Sequence, residues 1–232
     1  MNSRSRQAQR RDSSAMRTEL IEAAIRLLEQ DGPEALQTRR VAAAAGASTM
    51  TVYTHFGGMT GLLDAVAAEA FSRFGAALGA AAFTDDPVAD FFVMGRAYRE
   101  YALANPQRYR LMFGLTAPGA GKPGYVMDLT TETPDDAVGA DTFGHAITAA
   151  ERMIAGGHIR SDPPRQVAAR LWALLHGAIL LEMAGHFGAE GQSAATVLGP
   201  ATYDLLVGMG ASRERLEQSA LEANRRTGKG AG

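Results

Sequence analysis

Along most of the chain, apolar positions recur every three or four residues, the period of helices with one buried face. From Ser14 to Asp31 the stripe is Met16, Leu20, Ala24, Leu27 and Leu28, with charges opposite, and Gly32-Pro33 ends it. A shorter run, Arg39 to Ala45, puts Val41, Ala42 and Ala45 on one side. Thr38 suits its N-cap, because a hydroxyl takes up a free N–H of the first turn. Gly46 stops the run by accepting the left-handed conformation of a helix end. Ser48 or Thr49 then caps a third helix through Val52, Tyr53 and Phe56.

A long helix is predicted from Thr60 to about Ala82, through Leu62, Leu63, Val66, Ala70, Phe71, Phe74 and Leu78. Gly75 and Gly79 soften its end by about 1 kcal/mol each relative to Ala. Asp85-Asp86-Pro87 is a helix start, with acids at the N-terminal end and Pro in the first turn. The helix Val88 to Ala104 follows; Asn105-Pro106 breaks it, and a short helix holds Arg108, Tyr109, Leu111, Met112 and Phe113. Asp135 to Ala155 is a further helix, closed by Gly156-Gly157, with Val138, Phe143, Ile147, Ala150 and Ile154 on its apolar side.

Asp162-Pro163-Pro164 opens the most hydrophobic helix, Arg165 to about Phe187. Because Leu171 to Leu181 is apolar nearly all round, it needs cover on two sides, from its own domain and from a second subunit. Leu174, Ile179 and Leu181 are candidate dimer contacts, with Tyr203 and Leu206 from a last helix that Pro200 opens or kinks. After Ala211 the chain turns charged and Gly-rich, and is expected to fray.

Leu115 to Pro134 breaks the pattern, being rich in Gly, Pro and Thr, and is read as a disordered stretch or a lid. It contains Gly119-Ala120-Gly121-Lys122-Pro123-Gly124, formally a dinucleotide-binding glycine pattern. No strand precedes it, and Pro123 stands where a helix should open. Gly-Lys followed by Pro excludes a Walker loop too.

With 232 residues and 46% hydrophobic content, the chain can bury a substantial core. Absence of cysteine excludes disulfides and thiolate metal sites. No apolar leader opens the chain, and its longest apolar run falls short of the roughly 18 residues of a membrane span, so a cytoplasmic protein is expected. The formal net charge of −2 excludes a polybasic nucleic-acid binder, but Arg4, Arg6, Arg10, Arg11 and Arg17 make the N-terminus basic. That arm either reaches a minor groove or phosphates, or is a solubilising tail.

Helical geometry turns Val52 and Phe56 inward onto Val41, Ala42 and Ala45, leaving Thr49, Met50, Tyr53 and Thr54 outward with no acid among them. Two short helices, a tight turn and an exposed hydrogen-bonding face form a helix-turn-helix that fits the major groove. Spacing alone equally allows an ordinary αα corner. The residues themselves go further. T-R-R-x-A-x-x-A-G-x-S-x-x-T-x-Y-x-H-F followed by G-L-L-D-A-V resembles, without gaps from Leu36 to Val66, the DNA-binding domain of the TetR family of bacterial regulators.

The resemblance implies that Thr38 and Arg39 touch the DNA backbone or groove edge and that Thr49, Met50 and Thr51 face base edges. It sets Tyr53, Thr54 and His55 against phosphates and thymine methyls. Many members carry a phosphate-binding lysine where this chain has Met59. Trp172-x-x-x-His176-Gly177, with Tyr109 to Phe113 upstream, is similar to the WHG-type ligand domain of part of the family. Met94, Tyr98, Tyr101, Met112, Phe113, Phe143, Trp172 and His176 are candidate effector contacts, since dense Met and Tyr suit an adaptable apolar cavity as well as plain core. His176 is either such a contact or a core histidine bonded to a carbonyl or to Glu182.

The expected architecture is all-α: a flexible basic arm, residues 1–13; a helix-turn-helix head, 14–60; a helical regulatory and dimerisation body, 61–212; and a flexible tail, 213–232. The expected function is a homodimeric DNA-binding regulator, a repressor released by a small hydrophobic effector, without cofactor or metal. A ligand-dependent activator is the alternative. An all-α enzyme is disfavoured by the lack of a G-x-S-x-G, an H-E-x-x-H or histidines at ligand spacing. A pure protein-interaction module is disfavoured by the exposed Thr, Tyr and His face.

Overall fold

The computed structural model describes residues 3–80, 82–116, 129, 131, 137–188 and 192–228, with side chains from Asp12 onward. Ten α-helices and no strand occur among the described residues. They form two compact units, 1–71 with 105–126, and 72–104 with 127–232.

The first unit contains α1 (Ser3–Asp31), α2 (Thr38–Ala44), α3 (Thr49–Phe56), the start of α4 (Met59–Gly79) and α6 (Pro106–Met112). Its core joins Leu20, Ala24 and Leu28 of α1 to Val41 and Ala42 of α2, Val52 of α3, Leu62 and Val66 of α4, and Leu111 of α6. These are the apolar stripes of the sequence closing on one another. Glu29 accepts from Nε of Arg108 at 2.7 Å, fastening α6 to α1 across a half-buried surface.

Two boundaries differ from expectation. The backbone is helical from Ser3, because nothing between there and Ser14 breaks a helix and Arg, Gln and Ala favour one. Gln37, not Thr38, is the N-cap of α2: its backbone is extended and no side chain caps the turn, while Thr38 is already inside the helix.

The second unit comprises the rest of α4, α5 (Pro87–Ala104), α7 (Ala140–Ala155), α8 (Pro164–Met183), α9 (Gly199–Gly208) and α10 (Arg213–Arg226). A core of Val88, Phe91, Phe143, Ala150, Met153, Val167, Leu171, Leu206, Met209 and Leu216 binds α5, α7, α8, α9 and α10 together. Helix α7 starts at Ala140, after Gly139 in a left-handed conformation, and α8 ends at Met183 before Gly185 turns the chain. A π-helical turn, Ala194–Leu198, leads without a break into α9, and Pro200, which has no N–H to donate, lies just beyond it.

The expected flexible tail is instead α10. Leu216, Ser219 and Ala223 recur at three- and four-residue spacing and are buried, a narrow stripe hidden among charges. Ties to α5 are polar as well: Arg96 donates to Asn224 at 2.7 Å and to Thr227. Residues 117–128, 130 and 132–134, with the glycine-rich pattern, lie outside the described residues. No helix among the described residues is long and apolar enough to cross a membrane.

Candidate functional site

The turn between α2 and α3 is built by backbone bonds. Gly46 takes φ +64°, and the N–H of Ala47 returns to the carbonyl of Ala42 at 2.8 Å. Ser48 is the N-cap of α3, its hydroxyl accepting from the N–H of Thr51 at 3.2 Å. Fully buried Val52 holds α3 against Val41 and Ala42.

What remains outward is the face the sequence pattern selects. Met50 is 69% exposed and Tyr53 56%, with Thr49 and Thr54 exposed beside them. Thr51 and His55 are half-buried, Thr38 is half-buried, and Arg39 is exposed on α2. Arg40 is engaged with Asp31 at 2.5 Å, an exposed pair worth little to stability.

The junction into α4 is tight. An added Cβ at Gly61 would sit 2.0 Å from the carbonyl oxygen of Phe56, so only glycine fits. At Gly58, with φ +134°, a Cβ would press on the Tyr53 ring at 3.4 Å. Arg17 of α1 stands over the Phe56 ring, 5.1 Å from its centre. Helical spacing alone reads Arg17 as part of a solvated face. No local signal links it to a ring 39 positions away.

In the second unit, four candidate effector residues lie in one chain of contacts. The Phe74 ring meets Tyr98 edge-on at 4.7 Å and Tyr101 at 4.9 Å. The Tyr98 hydroxyl lies 3.3 Å from Nδ1 of His176, which stacks on Trp172 at 4.5 Å. Burial lowers the His176 pKa to about 4, so the ring is neutral at pH 7. Glu182, further along α8, forms an ion pair with Arg99.

Phe143 lies in the core with Arg165 over its ring at 5.3 Å. Met94 lines a separate cleft of about 70 Å³ with Leu78, Gly79, Phe83, Asp90, His145 and Ala149. Met112 and Phe113 belong to the first unit, where Phe113 packs against Tyr109 at 4.8 Å and Phe71 at 5.5 Å.

Two dimerisation candidates are corrected. Ile179 and Leu206 are fully buried by their own chain, so neither reaches a partner without opening the core. Tyr203 stacks on Phe92 at 5.7 Å and donates to the carbonyl of Leu216 at 3.1 Å, while remaining half-buried. Leu174 is half-buried and Leu181 is 47% exposed, so these two and Tyr203 retain surface.

An all-helical chain whose small unit presents a capped, acid-free helix beyond a glycine turn is of the helix-turn-helix DNA-binding class. Comparison with known proteins agrees. Residues 20–66 match the family described as bacterial regulatory proteins, tetR family, and residues 91–199 match the tetracyclin repressor-like C-terminal domain. The HTH-type transcriptional regulator Rv1816 of Mycobacterium tuberculosis is 29% identical over 216 residues, covering 80% of this chain and 88% of its own. A Rhodococcus sp. RHA1 protein of unknown function superposes with a TM-score of 0.64 at 26% identity, covering 84% of this chain and 95% of that one. RolR in complex with resorcinol has the same fold, with a TM-score of 0.64 at 18% identity over 90% of this chain and 95% of its own. The chain belongs to the TetR family of transcriptional regulators.

Proposed function

We propose that the protein is a homodimeric repressor that binds a near-palindromic operator through α3 and is released by a small hydrophobic effector. The observation that carries this reading is the outer face of α3, where Met50 and Tyr53 stand exposed while Val52 anchors the same helix in the core. Leaving two large apolar side chains in water on a rigid helix is understandable if a partner surface covers them. In this reading the first unit, which carries α2 and α3, is the DNA-binding head, the second unit is the regulatory body, and the protein acts on the chromosome in the cytoplasm. Two heads set α3 into successive major grooves about 34–36 Å apart.

Release requires an effector that binds the DNA-incompetent state more tightly than the competent one. The aromatic group of Tyr98, Tyr101, Trp172 and His176, with its histidine neutral, suits an uncharged, largely apolar molecule. The repressor sense is supported by the tetracyclin repressor-like character of residues 91–199. The test is selection of bound fragments from random duplex DNA by the full chain, followed by footprinting. A motif with two inverted half-sites about one helical turn apart is the expected result. Failure to enrich any motif at low salt would overturn the reading.

A further inference from the structure

We propose that Met50 is a specificity-determining residue, reading the C5-methyl group of a thymine in each operator half-site. The inference rests on the DNA-binding reading above and names what α3 recognises.

Its first support is composition. Thr49–Phe56 reads TMTVYTHF and holds no Arg, Lys, Asn, Gln, Asp or Glu. The side chains that form bidentate pairs with guanine or adenine, or accept from cytosine, are therefore missing from the helix.

Its second support is how the hydroxyls are used. Thr51 Oγ1 lies 3.0 Å from Ser48 Oγ, and Thr54 Oγ1 donates to the carbonyl of Met50 at 2.9 Å. Two of the three threonines on α3 are thus already engaged with their own helix. Its third support is exposure. At 69%, Met50 is more exposed than any other large hydrophobic residue described, and Tyr53 stands one turn along the same face. The C5-methyl of thymine is the apolar feature that a base presents in the major groove. A flexible, polarisable thioether is well adapted to cover it.

The experiment uses the full chain and the duplex that emerges from selection. Each half-site thymine is replaced in turn by 2′-deoxyuridine, which removes one methyl and leaves base pairing intact. One position per half-site is expected to weaken binding about fourfold, the factor for withdrawing one methyl-sized group from a buried contact. Met50→Ala should weaken binding to the thymine duplex yet be indifferent to uracil at that position, and Met50→Leu should retain the discrimination. Because Met50 is exposed, its variants should melt like the parent, and this is checked alongside.

A uracil effect that persists in full in Met50→Ala would overturn the assignment, as would an enriched duplex indifferent to uracil everywhere. Both results leave DNA binding itself standing. Absence of any enriched duplex would overturn the DNA-binding reading and this inference together.

Discussion

Arg226, in the last turn of α10, donates to a carboxylate oxygen of Asp90 on α5 at 2.6 Å, joining residues 136 positions apart. Arg152 donates to the other oxygen at 2.6 Å, and Thr84 contributes its amide and its hydroxyl at 2.9 Å each. Asp90 is only 5% exposed. Burial raises its pKa, but the bonds from Arg152, Thr84 and Arg226 outweigh that and hold it below the usual 3.8. With the folded value depressed, the contribution to stability is present above about pH 4 and lost as pH falls below it. Arg226→Ala should cost about 2 kcal/mol in urea unfolding at neutral pH, because Arg152 still compensates the charge. Asp90→Asn should flatten the decline in melting temperature below pH 4.

His176 governs a higher pH window. Its folded pKa of about 4 lies below the ordinary 6.5, so the unfolded chain takes up a proton that the folded chain refuses. Stability should therefore fall as pH drops from 6.5 toward 4, by at most about 3 kcal/mol. Thermal melts of His176→Leu against the parent isolate the effect, since only the parent should lose stability across that interval on this account.

The capping correction makes a paired prediction for the head. Ser48→Ala removes the cap of α3 and should destabilise by about 1 kcal/mol. Thr38→Ala, at a position that caps nothing, should stay within about 0.5 kcal/mol of the parent. Urea titrations of both variants distinguish the two roles.

Tyr53→Ala should abolish operator binding while leaving the melt within about 0.5 kcal/mol of the parent, because the ring is largely exposed. Gel shift and circular dichroism read the two halves of this expectation.

Arg17 stands over the Phe56 ring, 5.1 Å from its centre, and is exposed, where a guanidinium can meet a phosphate. Arg17→Ala should weaken binding similarly for every sequence and reduce the slope of log K against log salt by about 1. An unchanged slope would place Arg17 outside the interface.

The family resemblance, not the spacing, distinguished a helix-turn-helix from an ordinary αα corner. The two short helices and the turn between them were legible because their determinants are local: Gly46, Ser48 and the spacing of Val41, Val52 and Phe56 act within a few turns of chain. The same reasoning overlooked α10, where Leu216 and Ala223 are outnumbered by charges, and overlooked Asp90, whose partners come from α7 and α10. Long-range pairing leaves no period in the sequence. The dimer candidates Ile179 and Leu206 failed for a related reason, since an apolar helix does not announce which of its sides its own domain will cover.

Leu111 sits among the core residues of the unit that carries α2 and α3, and Arg108 beside it is bound to Glu29. The reading head is therefore not a cassette. A chimera that grafts only Met1–Phe71 onto a foreign body leaves behind a wall of its own core and strands the Glu29 carboxylate. Swapping operator preference between relatives should succeed with single-residue changes on α3 where wholesale transplantation of the first 71 residues fails, unless the recipient supplies an equivalent of Pro106–Met112.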